Sequence, residues 1–133
     1  MTKTFDQLFP AAKQGADNAY APYSQFQVGA AILLKDGTVI SGCNVENASF
    51  GVSLCAERNA ISSAVAQGYK PGDVVELVLY IPHEEMFSPC GACRQVMSEF
   101  MAQGATVTAV NKGGDKKIWT VAELLPDGFA MPD

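Results

Sequence analysis

The sequence predicts an α/β fold: a three-layer α-β-α sandwich around a mixed sheet of about five strands. Two observations carry this. Segments of helical periodicity alternate with short apolar runs in the order α-β-β-α-β-α-β-β-α. Helices that connect buried strands imply crossovers, and crossovers cover both faces of a sheet. At 133 residues the chain fits one domain, residues 1–133, large enough to bury a core unaided. No repeat, linker or low-complexity tract divides it.

Phe5, Leu8, Phe9, Ala12, Ala16 and Ala19 recur at helical spacing, so the first twenty residues read as an amphipathic helix ended by Pro22. Phe26 to Leu34 suits a strand, and Asp36-Gly37 signals a hairpin that returns Val39 to Val45 antiparallel to it. Asn47 to Ser53 is a loop of small residues. Leu54 to Gln67 reads as a helix with Ser53 as a cap and Gly68 as a stop. Val74 to Ile81 is apolar along most of its length, as a central strand would be. A helix from about Gly91 to Gln103 closes at Gly104, and strands at Thr106–Val110 and Lys116–Trp119 flank the turn at Gly113-Gly114. Thr120-Val121-Ala122-Glu123 matches a capping box that opens a short helix ended by Pro126.

Composition narrows the function. The chain is 48% hydrophobic and 17% charged, which excludes a disordered tail. Its formal net charge of -5, with no basic block, argues against a nucleic-acid polymer as partner and favours a small molecule. There is no membrane-spanning apolar run and no apolar leader, so a cytoplasmic location is expected. In that compartment Cys43, Cys55, Cys90 and Cys93 read as metal or redox chemistry before disulfides.

Cys55-Ala56-Glu57-Arg58 and Pro89-Cys90-Gly91-Ala92-Cys93 supply three thiols and a carboxylate. Three protein ligands leave the fourth position of a tetrahedral zinc open to water, which separates a catalytic zinc from a structural one. Cys90 and Cys93 share a helical face, Cys55 opens another helix, and helix starts favour thiolate over thiol. Residues two apart on a helix face opposite sides, so Cys55 and Glu57 meet only at an object beyond the helix end, toward which side chains tilt. Three thiolates also oppose acidification of a bound water, which calls for a cation. Arg58 is the expected thiolate partner, whereas Arg94 reads as a solvated arginine. Three other readings compete: a closed four-cysteine site including Cys43, a Cys90–Cys93 redox pair, and thiols that serve as small buried hydrophobes. The last suits Cys43. His83, beside Glu84 and Glu85, reads as solvated.

This constellation resembles the zinc signature of nucleobase deaminases, with Cys55 where some members carry histidine. Around it stand Tyr20 to Ala30, Gly42-Cys43-Asn44-Val45-Glu46-Asn47-Ala48, Ser88 to Val96 and Glu123-Leu124-Leu125-Pro126. On these segments the chain is similar, along nearly its whole length, to the cytidine deaminases of the small homotetrameric class. The resemblance implies one zinc per chain on Cys55, Cys90 and Cys93, with Glu57 as proton shuttle. It implies Asn44 and Glu46 as a ribose-binding pair and Phe26 as the aromatic that packs on the pyrimidine. The backbone N–H of Ala56 would meet the base carbonyl, and the Ser88 carbonyl the amino group. Phe129 would reach a neighbouring subunit's site in a homotetramer. Phe26 could instead be simple core, and Phe129 a frayed tail. Phe50 departs from the family, whose members often carry tyrosine there.

The expected reaction is hydrolytic deamination of cytidine and 2′-deoxycytidine in pyrimidine salvage, with Glu57 acting as base and then as acid. A deaminase of a modified cytosine nucleoside such as blasticidin S is the alternative within the class. A non-enzymatic zinc-stabilised module is the alternative outside it.

Overall fold

In the computed structural model, which describes residues 3–132, the elements follow the expected order. Helix α1 (Lys3–Asn18) leads to strands β1 (Gly29–Leu34) and β2 (Val39–Cys43), a single 3-10 turn (Phe50–Val52) and helix α2 (Ala56–Ala66). Strand β3 (Val74–Tyr80), helix α3 (Gly91–Phe100), strands β4 (Met101–Val110) and β5 (Lys116–Thr120) and helix α4 (Val121–Leu124) complete it. Residues 1, 2 and 133, which the expected first helix and domain span include, lie outside the described residues.

The five strands form one sheet in the order β2-β1-β3-β4-β5, with β3 at its centre. Only β3 and β4 pair in parallel, joined by the α3 crossover, so the sheet is mixed. The period of two along a strand sorts side chains between two cores. On one face, Phe5, Leu8 and Ala12 of α1 pack on Ala31, Leu33 and Val78. On the other, Ala60 and Ile61 of α2, Met97 of α3 and Val121 of α4 pack on Ile32, Leu77 and Leu79. Each fully buried Leu or Ile contributes roughly 1.5–3 kcal/mol relative to exposure, so the sheet is clamped from both sides. The start of α2 lies close against β2. A Cβ on Gly42 would come within 2.6 Å of the Ala56 carbonyl oxygen and 2.7 Å of the Ala60 nitrogen.

Boundaries differ from the sequence reading for identifiable reasons. Helix α1 tolerates Pro10 and stops at Asn18, well before Pro22, because the Tyr20 N–H leaves to pair with the Asn44 carbonyl. The first strand begins at Gly29 rather than Phe26, since the Asn44 side chain takes the Phe26 carbonyl and the Val28 N–H. Strand β2 ends at Cys43, and Val45 instead bridges Tyr20 and Leu54. The N-cap of α2 is Cys55, not Ser53, whose hydroxyl accepts from the Asn47 N–H. Helix α3 ends at Phe100 and passes directly into β4, where Met101 pairs with Val74, so Gly104 lies inside a bulged strand rather than stopping a helix. The hairpin turn and the Gly68 stop adopt the expected left-handed glycines, φ 88° at Gly37 and 99° at Gly68. Both halves of the Thr120–Glu123 capping box form. No helix among the described residues is long and apolar enough to cross a membrane.

Candidate active site and metal centre

The parallel strands β3 and β4 and the hairpin strand β2 all end at one edge of the sheet, where Cys43, Tyr80 and Val110 lie in register across Gly29 and one another. Open α/β sheets bind ligands outside the carboxyl ends of their strands. A cavity of about 430 Å³ opens there, lined by Phe26, Asn44, Glu46, Cys55, Ala56, Glu57, Ser88 and Cys90 among others. Ten of the eleven residues expected at the site and at the thiolates thus fall in or beside one cleft, counting Cys93 and Arg58, which touch its thiols.

The thiols converge by a route that helix geometry alone did not predict. Cys55 and Cys90 are both N-cap residues in extended conformation, with φ/ψ of −74°/154° and −67°/162°. A cap lies outside the helical spiral, so the rule separating residues two apart on a helix does not bind Cys55 and Glu57. Cys90 Sγ accepts the Cys93 N–H at 3.4 Å, a thiol in the place of the usual hydroxyl cap. The sulfurs of Cys55 and Cys90 lie 3.7 Å apart, and those of Cys90 and Cys93 3.3 Å apart. Tetrahedral zinc with Zn–S bonds of about 2.3 Å sets its sulfurs roughly 3.8 Å apart, so the group suits that ion. Among the described residues, these three cysteines are the group able to hold a metal, and Cys43 stands outside it, half-buried with its thiol pushed up by burial.

The electrostatics make the same demand. Contact with Cys93 and the Arg58 guanidinium hold the Cys55 thiol down at about 5. The same Cys55 contact, with burial, pushes Cys93 well above the ordinary thiol range. Three thiolates so close are compatible only with a cation among them. Arg58 Nη2 donates to Cys55 Sγ at 3.3 Å, and the thiols raise its pKa further above its ordinary value. Its Nε is buried without a hydrogen-bond partner among the described residues, so the guanidinium is held at the thiols at a desolvation cost.

Glu57, in the first turn of α2, is only 4% exposed, and burial raises its carboxyl to about 7. Below about pH 4.5 the group is protonated in the folded and unfolded chain alike. As pH rises the unfolded chain ionises first, so stability falls until the folded carboxyl ionises near 7. Glutamine cannot ionise. In metal-free protein, Glu57→Gln is therefore expected to raise the melting temperature at about pH 8 by the equivalent of ~3 kcal/mol and to leave it unchanged near pH 4. Superimposable melting curves of the two proteins at the higher pH would disprove the burial penalty.

The opposite wall is built around the Phe26 backbone. Asn44 Nδ2 donates to the Phe26 carbonyl at 2.7 Å and Asn44 Oδ1 accepts the Val28 N–H at 2.9 Å. Glu46 accepts the N–H groups of Tyr23 and Ser24 and the Ser24 hydroxyl, which holds its carboxyl below the usual range. Phe129 is the residue that does not join: it is 70% exposed and does not line the cavity. It is not frayed, because Gln95 holds both its backbone groups, donating to the carbonyl at 2.9 Å and accepting the N–H at 3.1 Å. Phe50 is 73% exposed and meets Tyr23 edge-on.

Two residues read as solvated are not. Arg94 donates to the Pro89 and Leu124 carbonyls and the Ser88 hydroxyl, tying the loop before Cys90 to the end of α4. His83 is half-buried and stacks on Phe26 with ring centroids 4.6 Å apart. Neither contact has a spacing signal, since each joins segments distant in the chain.

An open three-thiol metal site with a buried carboxyl of raised pKa beside it defines a metal-dependent hydrolase. Residues 2–109 match the family model described as cytidine and deoxycytidylate deaminase zinc-binding region. A cytidine deaminase of Halalkalibacterium halodurans is 47% identical over 95% of this chain and 94% of its own length. The crystal structure of cytidine deaminase from Burkholderia pseudomallei, 46% identical, superposes with a TM-score of 0.90 over 97% of this chain and 100% of that one. A blasticidin-S deaminase of Bacillus cereus is more distant, 34% identical over 77% of this chain and 76% of its own length. The chain belongs to the cytidine and deoxycytidylate deaminase family, whose zinc-binding region includes all three site cysteines.

Proposed function

We propose that the chain deaminates cytidine and 2′-deoxycytidine hydrolytically, giving uridine or 2′-deoxyuridine and ammonia, as a single-domain enzyme of pyrimidine salvage in the cytoplasm. The observation that carries this is the cleft itself. A thiol cluster with a protonatable carboxyl forms one wall, and an aromatic ring with an amide and a carboxylate forms the other. The relatives favour cytidine over blasticidin S, by 47% identity against 34%.

Cys55, Cys90 and Cys93 would hold one zinc ion per chain, with Arg58 offsetting the thiolate charge. Bound there, zinc supplies a Lewis acid that lowers the pKa of a water. Glu57 takes the proton of the attacking water and delivers it to N3 of the ring, so that attack at C4 does not build a negative charge on the base. It then takes the remaining proton of the water oxygen now bonded to C4 and passes it to the amino group, so that the C4–N bond breaks, ammonia leaves and the C4 carbonyl forms. A carboxyl whose pKa lies near neutrality is suited to both transfers. The Ala56 N–H, at the start of α2, would receive the ring carbonyl, and the Ser88 carbonyl would orient the amino group. Asn44 and Glu46 would hold the ribose hydroxyls while Phe26, backed by His83, packs on the base. No contact with nucleic acid or membrane enters this reading. A homotetramer accounts for Phe129, an exposed ring on a pinned backbone, as a contribution to a neighbouring subunit's site.

The test is direct. Zinc-loaded protein incubated with cytidine should show the loss of ultraviolet absorbance that accompanies conversion to uridine. No change would favour the zinc-stabilised module without activity.

A further inference from the structure

The Ser24 hydroxyl lies between the two halves of the substrate wall. It donates to Glu46 Oε2 and accepts the Phe26 N–H at 3.0 Å. One hydroxyl has one donor and two lone pairs, so this arrangement uses its donor and one acceptor. Glu46 Oε1 is occupied by the N–H groups of Tyr23 and Ser24, at 3.0 and 3.1 Å. A carboxylate offers about four lone-pair sites. Three are therefore taken by one turn of the chain, and the remaining one, on Oε2, belongs to a group that lines the cavity.

The backbone is shaped for this. Gln25, between Ser24 and Phe26, has φ 58°, the one non-glycine residue at positive φ among the described residues. That conformation costs roughly 1–2 kcal/mol for an L-residue. It accompanies a reversal in which the Ser24 side chain takes the N–H of the residue two ahead, a turn that serine favours. The Phe26 carbonyl is held in turn by Asn44. Both polar backbone groups of the ring-bearing residue are thus fixed by side chains of the sugar wall.

We propose that Ser24 is a positioning residue for sugar recognition. Its hydroxyl fixes the Glu46 carboxylate relative to Phe26, so that the spacing between the sugar acceptor and the base-packing ring is set before substrate binds. Ser24 need not touch the reacting atoms, and its effect falls on binding of the sugar hydroxyls. The proposal rests on the assignment of Glu46 to the sugar made above.

The experiment compares cytidine with 2′,3′-dideoxycytidine, which keeps the base and lacks the hydroxyls that a carboxylate would accept. Ser24→Ala should raise KM for cytidine about tenfold, the size expected for losing a hydrogen bond to a charged group. Its kcat should stay near wild type, and KM for the dideoxy nucleoside should move little. Ser24→Thr, which keeps the hydroxyl, should restore the cytidine KM. Equal losses on both nucleosides, or a cytidine KM unchanged in Ser24→Ala, would overturn the assignment. Wild-type protein that turns over neither nucleoside would instead refute the substrate reading beneath it.

Discussion

Glu57→Gln is expected to retain one zinc per chain and to lose cytidine turnover by at least the roughly 10²–10⁴-fold typical of a general acid–base group. The glutamine amide has nearly the size of the carboxyl, and its neighbours in the buried first turn of α2 keep their packing. What disappears is the ability to accept a proton from water and return it to the base and to ammonia. The loss should fall on kcat with little change in KM, because the group acts in the transition state and not in ground-state binding. Metal analysis beside steady-state kinetics separates the cases. Near-normal turnover at full zinc occupancy would remove Glu57 from the mechanism.

The second large effect concerns the metal. Cys90→Ser is expected to bring zinc content after dialysis close to zero and activity down with it. Cys90 is exposed and serves as N-cap of α3, so serine can keep the bond to the Cys93 N–H while removing a thiolate. The melting temperature of the metal-free variant should accordingly match that of the metal-free wild type. In the presence of zinc the two should diverge, since metal binding contributes to folding stability. Stoichiometric zinc in the variant would show that Cys90 is not a ligand.

Much of this was legible in the sequence because it was written in local patterns. The element order, the central β3, the Asp36-Gly37 turn and the Thr120–Glu123 box each rest on residues close together in the chain. The convergence of Cys55, Cys90 and Cys93 could be expected from their places at two helix starts. The reason for it was not legible. Cysteine is absent from the residues that favour N-caps, so Ser53 looked like the cap and Cys55 like a first-turn residue. Only the extended backbone at Cys55 explains how it and Glu57 share one site.

What the sequence hid were contacts between distant segments made by side chains with no periodic signature. Arg94 reaches Leu124 across 30 positions and Gln95 holds Phe129 across 34. His83 leaves its acidic neighbours to stack on Phe26. Asn44 illustrates the limit most clearly. Its amide, expected at the sugar, also orders Phe26–Val28 and so delays the start of β1. An amide with two donors and two acceptor sites can still spare one of each for a ligand.

The central claim is that water, activated between the cysteine cluster and Glu57, replaces the amino group of the nucleoside. Turnover of cytidine by the zinc-loaded chain in ¹⁸O-enriched water, followed by mass spectrometry of the nucleoside product, tests this most directly. The account predicts uridine carrying one ¹⁸O at C4 for each ammonia released. Unchanged cytidine, or uridine whose C4 oxygen does not come from solvent, would contradict it.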